Sequence, residues 1–338
     1  MRVMIHFQDS SNRDAFEGVR LRKTLKGECE RMGVSWVDSK FANPDIAHFI
    51  SSKDISVLQR FSKNGSKTVV SALYCEHEVD DSFLELDRFG RISLKNSGKK
   101  MLNEADLVLV PSISAKKLLV SNGVTSEIKV AQTSVNVERF EVDELEKQLF
   151  LRYFGVSPER KYVLITGNFH EKRKMSLVRG LSKAFPRLRF YFFGCSTGTD
   201  APFINHYKFL AGDNLKISRI LSDDVYRSAV IHASAYLVLS PLPDGIGITE
   251  AFAAKTPVIA FGDQTLNPNL IDGVTALVCP TEKELVQTLS ELDQGREINT
   301  TISAFAIASR NNLNRGGQTL KANYEKLLEG KKEGNEND

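Results

Sequence analysis

The sequence predicts an α/β protein of two Rossmann-like parallel-sheet domains facing a cleft. Short apolar runs rich in Val and Ile recur between helix-like polar segments, the alternation of a parallel sheet with helices on both faces. That alternation stops once, over 141–161, and then restarts. A length of 338 residues also suggests two domains.

In chain order, the first half offers strands at RVMIHF (2–7), DIAHFIS (45–51), KTVVSAL (67–73), ADLVLVPS (105–112) and EIKVAQ (127–132). Helices suit 17–33, 53–64, 89–103 and 113–122. The stretch EVDELEKQLFLRYFGVSPERK (141–161) is charged, ends in a Gly-Val-Ser-Pro turn and lacks a strand signal. It sets the expected domains at 1–150 and 151–315. Strands then resume at KYVLITGNF (161–169), RFYFFG (189–194), LKISRI (215–220), AYLVLSPL (235–242), TPVIAFG (256–262) and ALVCP (276–280). A final helix over 316–330 is expected to cross back to the first domain, and KKEGNEND (331–338) to be a disordered tail.

Composition narrows the class. A hydrophobic content of 41% and a charged content of 26% are those of a soluble globular protein. A net charge of +3 from 45 basic and 42 acidic residues is too balanced to argue for nucleic acid. Cys29, Cys75, Cys195 and Cys279 lie far apart, fitting neither a zinc site nor a disulfide framework. With a strand rather than a signal peptide at the N-terminus, a cytoplasmic protein is expected. No apolar run approaches the ~20 residues of a spanning helix, so any membrane contact is peripheral. SGKKM (97–101) and SAKKLL (114–119) are basic-apolar pieces that suit such contact or two solvated helix faces.

Two segments of the second half carry chemistry. The strand KYVLITGN runs through Gly167 and is followed by FHEKRKMS, with Lys172, Arg173 and Lys174 in a row. Cations just beyond the carboxyl end of a parallel strand can bind a diphosphate and offset charge on it as it leaves. A solvated basic turn is the other reading. Further on, SPLPDGIGITEAFAAKTPV (240–258) leaves a strand, turns on Gly245 and Gly247 and is expected to start a helix near Thr249–Glu250. Backbone N–H groups there would face an anion, and a carboxylate in the first turn could accept both ribose hydroxyls. Equally, Glu250 could simply favour a helix N-terminus.

Taken together, in this order and separation, these segments resemble the donor half of retaining glycosyltransferases of the GT-B fold, family 4. GNFHEKRK is similar to that family's strand-Gly followed by an Arg/Lys pair. LSPLPDGIGITEAFAAKTPVIA resembles its Pro-Ser…Glu-Gly-Phe-Gly…Leu-Glu-Ala helix start and Gly-Thr-Pro-Val. NLIDGVTALV (269–278) is similar to its Ile-x-Asp-Gly-x-Thr-Gly-Leu-Leu. ADLVLVPSISAKKLLVSNGV and VNVERF (135–140) look like earlier family motifs. EGVRLRKTLKGECERMGV looks like the Gly-rich acceptor loop and first helix of bacterial glycolipid galactosyl- and glucosyltransferases.

By position, the resemblance implies that Arg173 and Lys174 hold the donor diphosphate, beyond Gly167 and Asn168 at the strand end. His170, beside the basic cluster, suits a phosphate contact or a plain loop position. The amides of Gly245, Ile246, Gly247, Ile248 and Thr249 would support phosphate and sugar, and Glu250 would bind the ribose. The segment from Gly194 to Ile220 would form the base pocket, and Gly18 would sit in a loop near sugar and acceptor. Transfer in this family needs neither metal nor cofactor. The donor is a nucleotide-sugar, with a UDP-hexose favoured over GDP, and the acceptor a sugar or glycolipid.

The sequence also departs from the pattern. Eight residues before Glu250, where the family has a first glutamate, stands Leu242. Asp244 either takes that role from a loop two residues shorter or is a turn residue. Met175 replaces a Gly after the Arg/Lys pair, Asn136 an Asp and Ser134 a Gly. In place of the family's first-half histidine, KTVVSALYCEHEVDD offers His77, three residues late between Glu76 and Glu78. It suits contact with the sugar or a surface position. His6, His48, His206 and His232 are read as structural. An active transferase, a non-catalytic GT-B relative binding nucleotide or partner, and a nucleotide-sugar epimerase of the same fold are the competing expectations.

Overall fold

A computed structural model describes residues 1–7, 17–75, 82–86, 91–168, 172–195, 205–206, 209, 212–219, 221–243 and 245–335. The chain divides into two compact units, one of Met1–Asn12, Glu17–Val135 and Asn311–Asp338, the other including Asn136–Arg310.

In the first unit, β1 (Arg2–His6), β2 (Ser35–Val37), β3 (Ile46–Phe49) and β4 (Lys67–Ser71) join β7 (Leu107–Val110) and β8 (Glu127–Val130). They form a parallel six-stranded sheet of order β2-β1-β3-β4-β7-β8. Strands β3 and β7 are buried at every residue, as a sheet covered on both faces requires. The crossovers carry α1 (Glu17–Arg31), α2 (Ile55–Lys63), α3 (Asn96–Glu104) and α4 (Ile113–Ser121). The region expected as one helix over 89–103 instead gives β6 (Ile92–Leu94), antiparallel to β5 (Leu84–Leu86), before α3 begins at Asn96. Leu84 is buried, while Ile92 and Leu94 are half-buried, and no helical period runs through them.

The second unit begins earlier than the expected residue 151. The 3₁₀ turn Val137–Phe140, α5 (Glu144–Lys147) and α6 (Leu149–Phe154) belong to it, and α5 and α6 pack on α8 (Asp223–His232). Under its charged surface the stretch carries Phe150, fully buried, with ring centroids 5.1 Å from Tyr162 and 4.9 Å from Tyr191. The Phe150 N–H also donates to Ser228 Oγ at 2.9 Å. Strands β9 (Tyr162–Asn168), β10 (Arg189–Cys195), β11 (Leu215–Arg219), β12 (Ala235–Val238), β13 (Val258–Phe261) and β14 (Leu277–Cys279) build a second parallel sheet of order β11-β10-β9-β12-β13-β14. Helices α7 (Lys172–Ala184), α9 (Gly245–Ala253), α10 (Glu282–Asp293) and α11 (Thr301–Arg310) accompany it.

The chain then rejoins the first unit. The Val135 N–H donates to Asn311 O at 3.0 Å, and α12 (Leu313–Asn335) packs along α1. The segment expected as a disordered tail is therefore helical to Asn335, because Lys331–Asn335 simply continues α12. His48, fully buried on β3, lies 2.5 Å from Tyr324 Oη of α12 and 2.7 Å from Ser71 Oγ. Burial pushes its imidazole down to about 3. Nearby, Ser134 Oγ donates to Glu28 Oε1, and burial drives the Glu28 carboxyl up to about 7 against that hydrogen bond. Cys29, Cys75 and Cys279 are buried.

Candidate functional site

In the second sheet the chain runs outward from β9 through β10 to β11, and outward the other way from β12 to β14. Strand order thus reverses between β9 and β12. At such a reversal the connections leaving the strands' carboxyl ends diverge, and ligands of open α/β sheets bind there. The two segments singled out in the sequence are the connections that leave β9 and β12.

At the end of β9, Gly167 has φ +145°, a conformation that favours glycine. It stands opposite Gly194 of β10, and Asn168 opposite Cys195, so Gly167, Asn168 and Gly194 share one edge of the sheet. Beyond β9, Lys172, Arg173 and Lys174 form the first turn of α7 rather than a loop. The first turn is the positive end of a helix, where an anion is attracted, and of these three residues the described side chain is that of Lys174. Lys174 is only 4% exposed. Met175, at the position of a family glycine, is buried in the core with Val163, Ile165 and Val178, which accounts for an apolar side chain there.

The β12 connection differs from its expected form. Helix α9 starts at Gly245, four residues before the expected Thr249, so both glycines are helical. Its first turn, Gly245–Ile248, is the part whose N–H groups lack intrahelical partners. The Thr249 hydroxyl donates to its own helix, to Gly245 O at 2.7 Å and Ile246 O at 3.0 Å. The side chains of Ile246 and Ile248 are core, leaving only backbone for a ligand. Leu242, eight residues before Glu250, is also buried.

Glu250 consequently lies in the second turn of α9, not the first, and is 1% exposed. Arg139, from the 3₁₀ turn, donates through Nη1 to Glu250 Oε1 at 2.6 Å, and Tyr226 Oη donates to Glu250 Oε2 at 3.1 Å. The other terminal nitrogen of Arg139 pairs with Asp223, the first residue of α8. One guanidinium thus joins two carboxylates, and its carbon sits 5.4 Å from the Phe140 ring centroid.

Sequence reasoning missed Arg139, Asp223 and Tyr226. They lie 24 to 111 residues from their partners in this cluster, and no spacing rule links them. The one available signal was a cation within VNVERF, between Val137 and the buried Phe140. Gly18 falls elsewhere: it is the second residue of α1, in the first unit, where a Cβ would overlap the Phe7 ring. It is therefore a packing glycine rather than a loop residue. His77, His170, Asp244, the side chains of Asn168, Lys172 and Arg173 and most of 196–211 lie outside the described residues. Among the described residues no group of three or more His, Cys, Asp or Glu is arranged to hold a metal ion. No described helix is long and apolar enough to cross a membrane.

No family model matches the sequence, and no curated protein matches it. Solved structures do. Sucrose-phosphate synthase from Thermosynechococcus elongatus superposes with a TM-score of 0.65 at 14% identity, covering 93% of this chain and 79% of its own. A glycosyltransferase from Rickettsia africae gives 0.67 at 17% identity, covering 97% and 98%. Anabaena HepE, in complex with UDP and glucose, gives 0.69 at 14% identity, covering 96% and 100%. The two parallel six-stranded sheets are those of the GT-B fold.

Proposed function

We propose that this chain is a retaining glycosyltransferase that moves a hexose from a nucleotide-sugar, UDP-linked in preference to GDP-linked, to a sugar or glycolipid acceptor without a metal. The observation that carries the reading is the pair of helix starts at the strand-order reversal, α7 with three cations in its first turn and α9 with two glycines. That combination suits a diphosphate between amide dipoles and cations. The UDP and glucose bound by HepE, a neighbour in fold, agree with it.

In this reading the acceptor hydroxyl oxygen bonds to the anomeric carbon as the bond from that carbon to the phosphate oxygen breaks. The departing diphosphate takes up the acceptor's proton. Arg173 and Lys174 stabilise the charge that grows on the diphosphate, and Glu250 holds the ribose. Work in the cytoplasm, at most peripheral to a membrane, is part of the same proposal.

A second reading is a non-catalytic relative. It is favoured by the buried Leu242 at the place of the family's first glutamate. The test is titration with UDP and GDP, followed by assay of slow hydrolysis of UDP-glucose, UDP-galactose and UDP-N-acetylglucosamine. Binding with hydrolysis is expected. Binding without hydrolysis or transfer selects the second reading, and no nucleotide binding removes the first.

A further inference from the structure

Glu250 and Arg139 are 111 residues apart in sequence, yet their pairing is what makes the burial of Glu250 tolerable. A carboxylate at 1% exposure needs a countercharge and hydrogen bonds, and a guanidinium supplies both. Arg139 Nη1 locates one carboxylate oxygen and the Tyr226 hydroxyl the other, so the plane of the group is set from two sides. Arg139 is in turn held by Asp223 through its second terminal nitrogen. Arg227 of α8 donates to the Arg139 carbonyl at 3.4 Å, anchoring the backbone of the same turn.

We propose that Arg139 is a positioning residue that aims the Glu250 carboxylate at the ribose hydroxyls of a ribonucleoside diphosphate, so that the site selects ribose over a sugar lacking them. This rests on the nucleotide reading of the site given above. An ionised carboxylate only accepts hydrogen bonds, and ribose hydroxyls donate them. A site built to bond a hydroxyl rejects the analogue that lacks it, because its own buried group then loses a partner. The aim must come from arginine rather than lysine, since a planar fork reaches two carboxylates at once and a point charge does not.

The experiment is calorimetric titration of the full chain with UDP, GDP and the 2′,3′-dideoxy analogue of each. Wild type, Arg139→Met, Arg139→Lys and Glu250→Gln are compared after their folding is checked by circular dichroism. Wild type is expected to prefer the ribonucleotide by about tenfold or more, the size of one hydrogen bond to a charged group. Arg139→Met and Glu250→Gln are both expected to bind the two ligand forms alike, and Arg139→Lys to lose most of the preference. The Arg139→Met/Glu250→Gln double variant is expected to lose no more than either single one. If Arg139→Met is unfolded, Arg139→Lys and Glu250→Gln carry the comparison. Wild-type preference kept in folded Arg139→Met or Arg139→Lys overturns this proposal alone. No preference in wild type overturns the role of Glu250 and this proposal with it, and no binding of either nucleotide overturns the nucleotide reading itself.

Discussion

Gly316 of α12 meets Glu28 of α1 where no side chain fits between them. A Cβ on Gly316 would overlap the Glu28 carboxylate and stand 2.7 Å from Ser134 Cβ. Gly316→Ala is therefore expected to destabilise the protein. Alanine gains up to about 1 kcal/mol in helix propensity, while overpacking a well-filled site costs about 1–3 kcal/mol. A net loss on the order of 1 kcal/mol should appear as a lower urea midpoint.

Glu28 itself makes stability depend on pH. Its folded pKa is raised from 4.5 to about 7 by burial, so the folded state favours the protonated form. That contribution is complete below about pH 4.5 and is lost as pH rises through about 7. A shift of this size corresponds to roughly 3 kcal/mol at most. In Glu28→Gln the fall in urea midpoint between pH 5 and pH 8.5 should be visibly smaller than in wild type.

Tyr324→Phe removes the hydroxyl 2.5 Å from His48 Nδ1. A buried imidazole nitrogen without its partner costs about 1–3 kcal/mol. The loss is expected in thermal unfolding at neutral pH, with circular dichroism unchanged before the transition. Because burial lowers the His48 pKa to about 3, its neutral form stabilises the fold above the ordinary 6.5, and this is lost as pH falls toward 3.

Lys255, just past α9, has φ +58°. It occupies the place of the glycine in the family's Gly-Thr-Pro-Val. A left-handed conformation costs a side-chain-bearing residue roughly 1–2 kcal/mol, offset in part by the Lys255 ammonium 4.5 Å from the Phe305 ring centroid. Lys255→Ala keeps the strain and loses the ring contact. Lys255→Gly should melt higher than Lys255→Ala and at or above wild type.

Of the two acids flanking the α9 glycines, Glu250 is expected to matter more. Glu250→Ala should weaken UDP binding more than Asp244→Ala in the same titration. Equal effects would mean that the choice between them is wrong.

Most strands were legible because a parallel sheet covered on both faces forces unbroken apolar runs such as Leu107–Val110 and Tyr236–Val238. Strand β2 and the β5–β6 hairpin were not, since SWV, LEL and ISL are each interrupted by a polar residue or start on one and show no apolar run, unlike the equally short LVC of β14. The stretch expected to separate the domains groups with the second unit from Asn136 on, and its charged residues give no sign that Phe150 within it is buried. At the site, the contiguous pieces showed in the sequence. The start of α9 did not, because glycines that look like a turn also fit a helix whose neighbours pack tightly. Arg139 was invisible for a different reason: an ion pair across 111 residues exists only once the second unit has folded.

The return of the chain at Asn311 makes the second unit an insertion within the first. During synthesis Arg310 emerges before α12, so all six strands β9–β14 are available while the first sheet still lacks its closing helix. Until Tyr324 emerges, His48 has no phenol to bond, and Glu28 has no Gly316 beside it. The part encoded later can therefore mature first on the ribosome, and the N-terminal part waits for the residues that seal it.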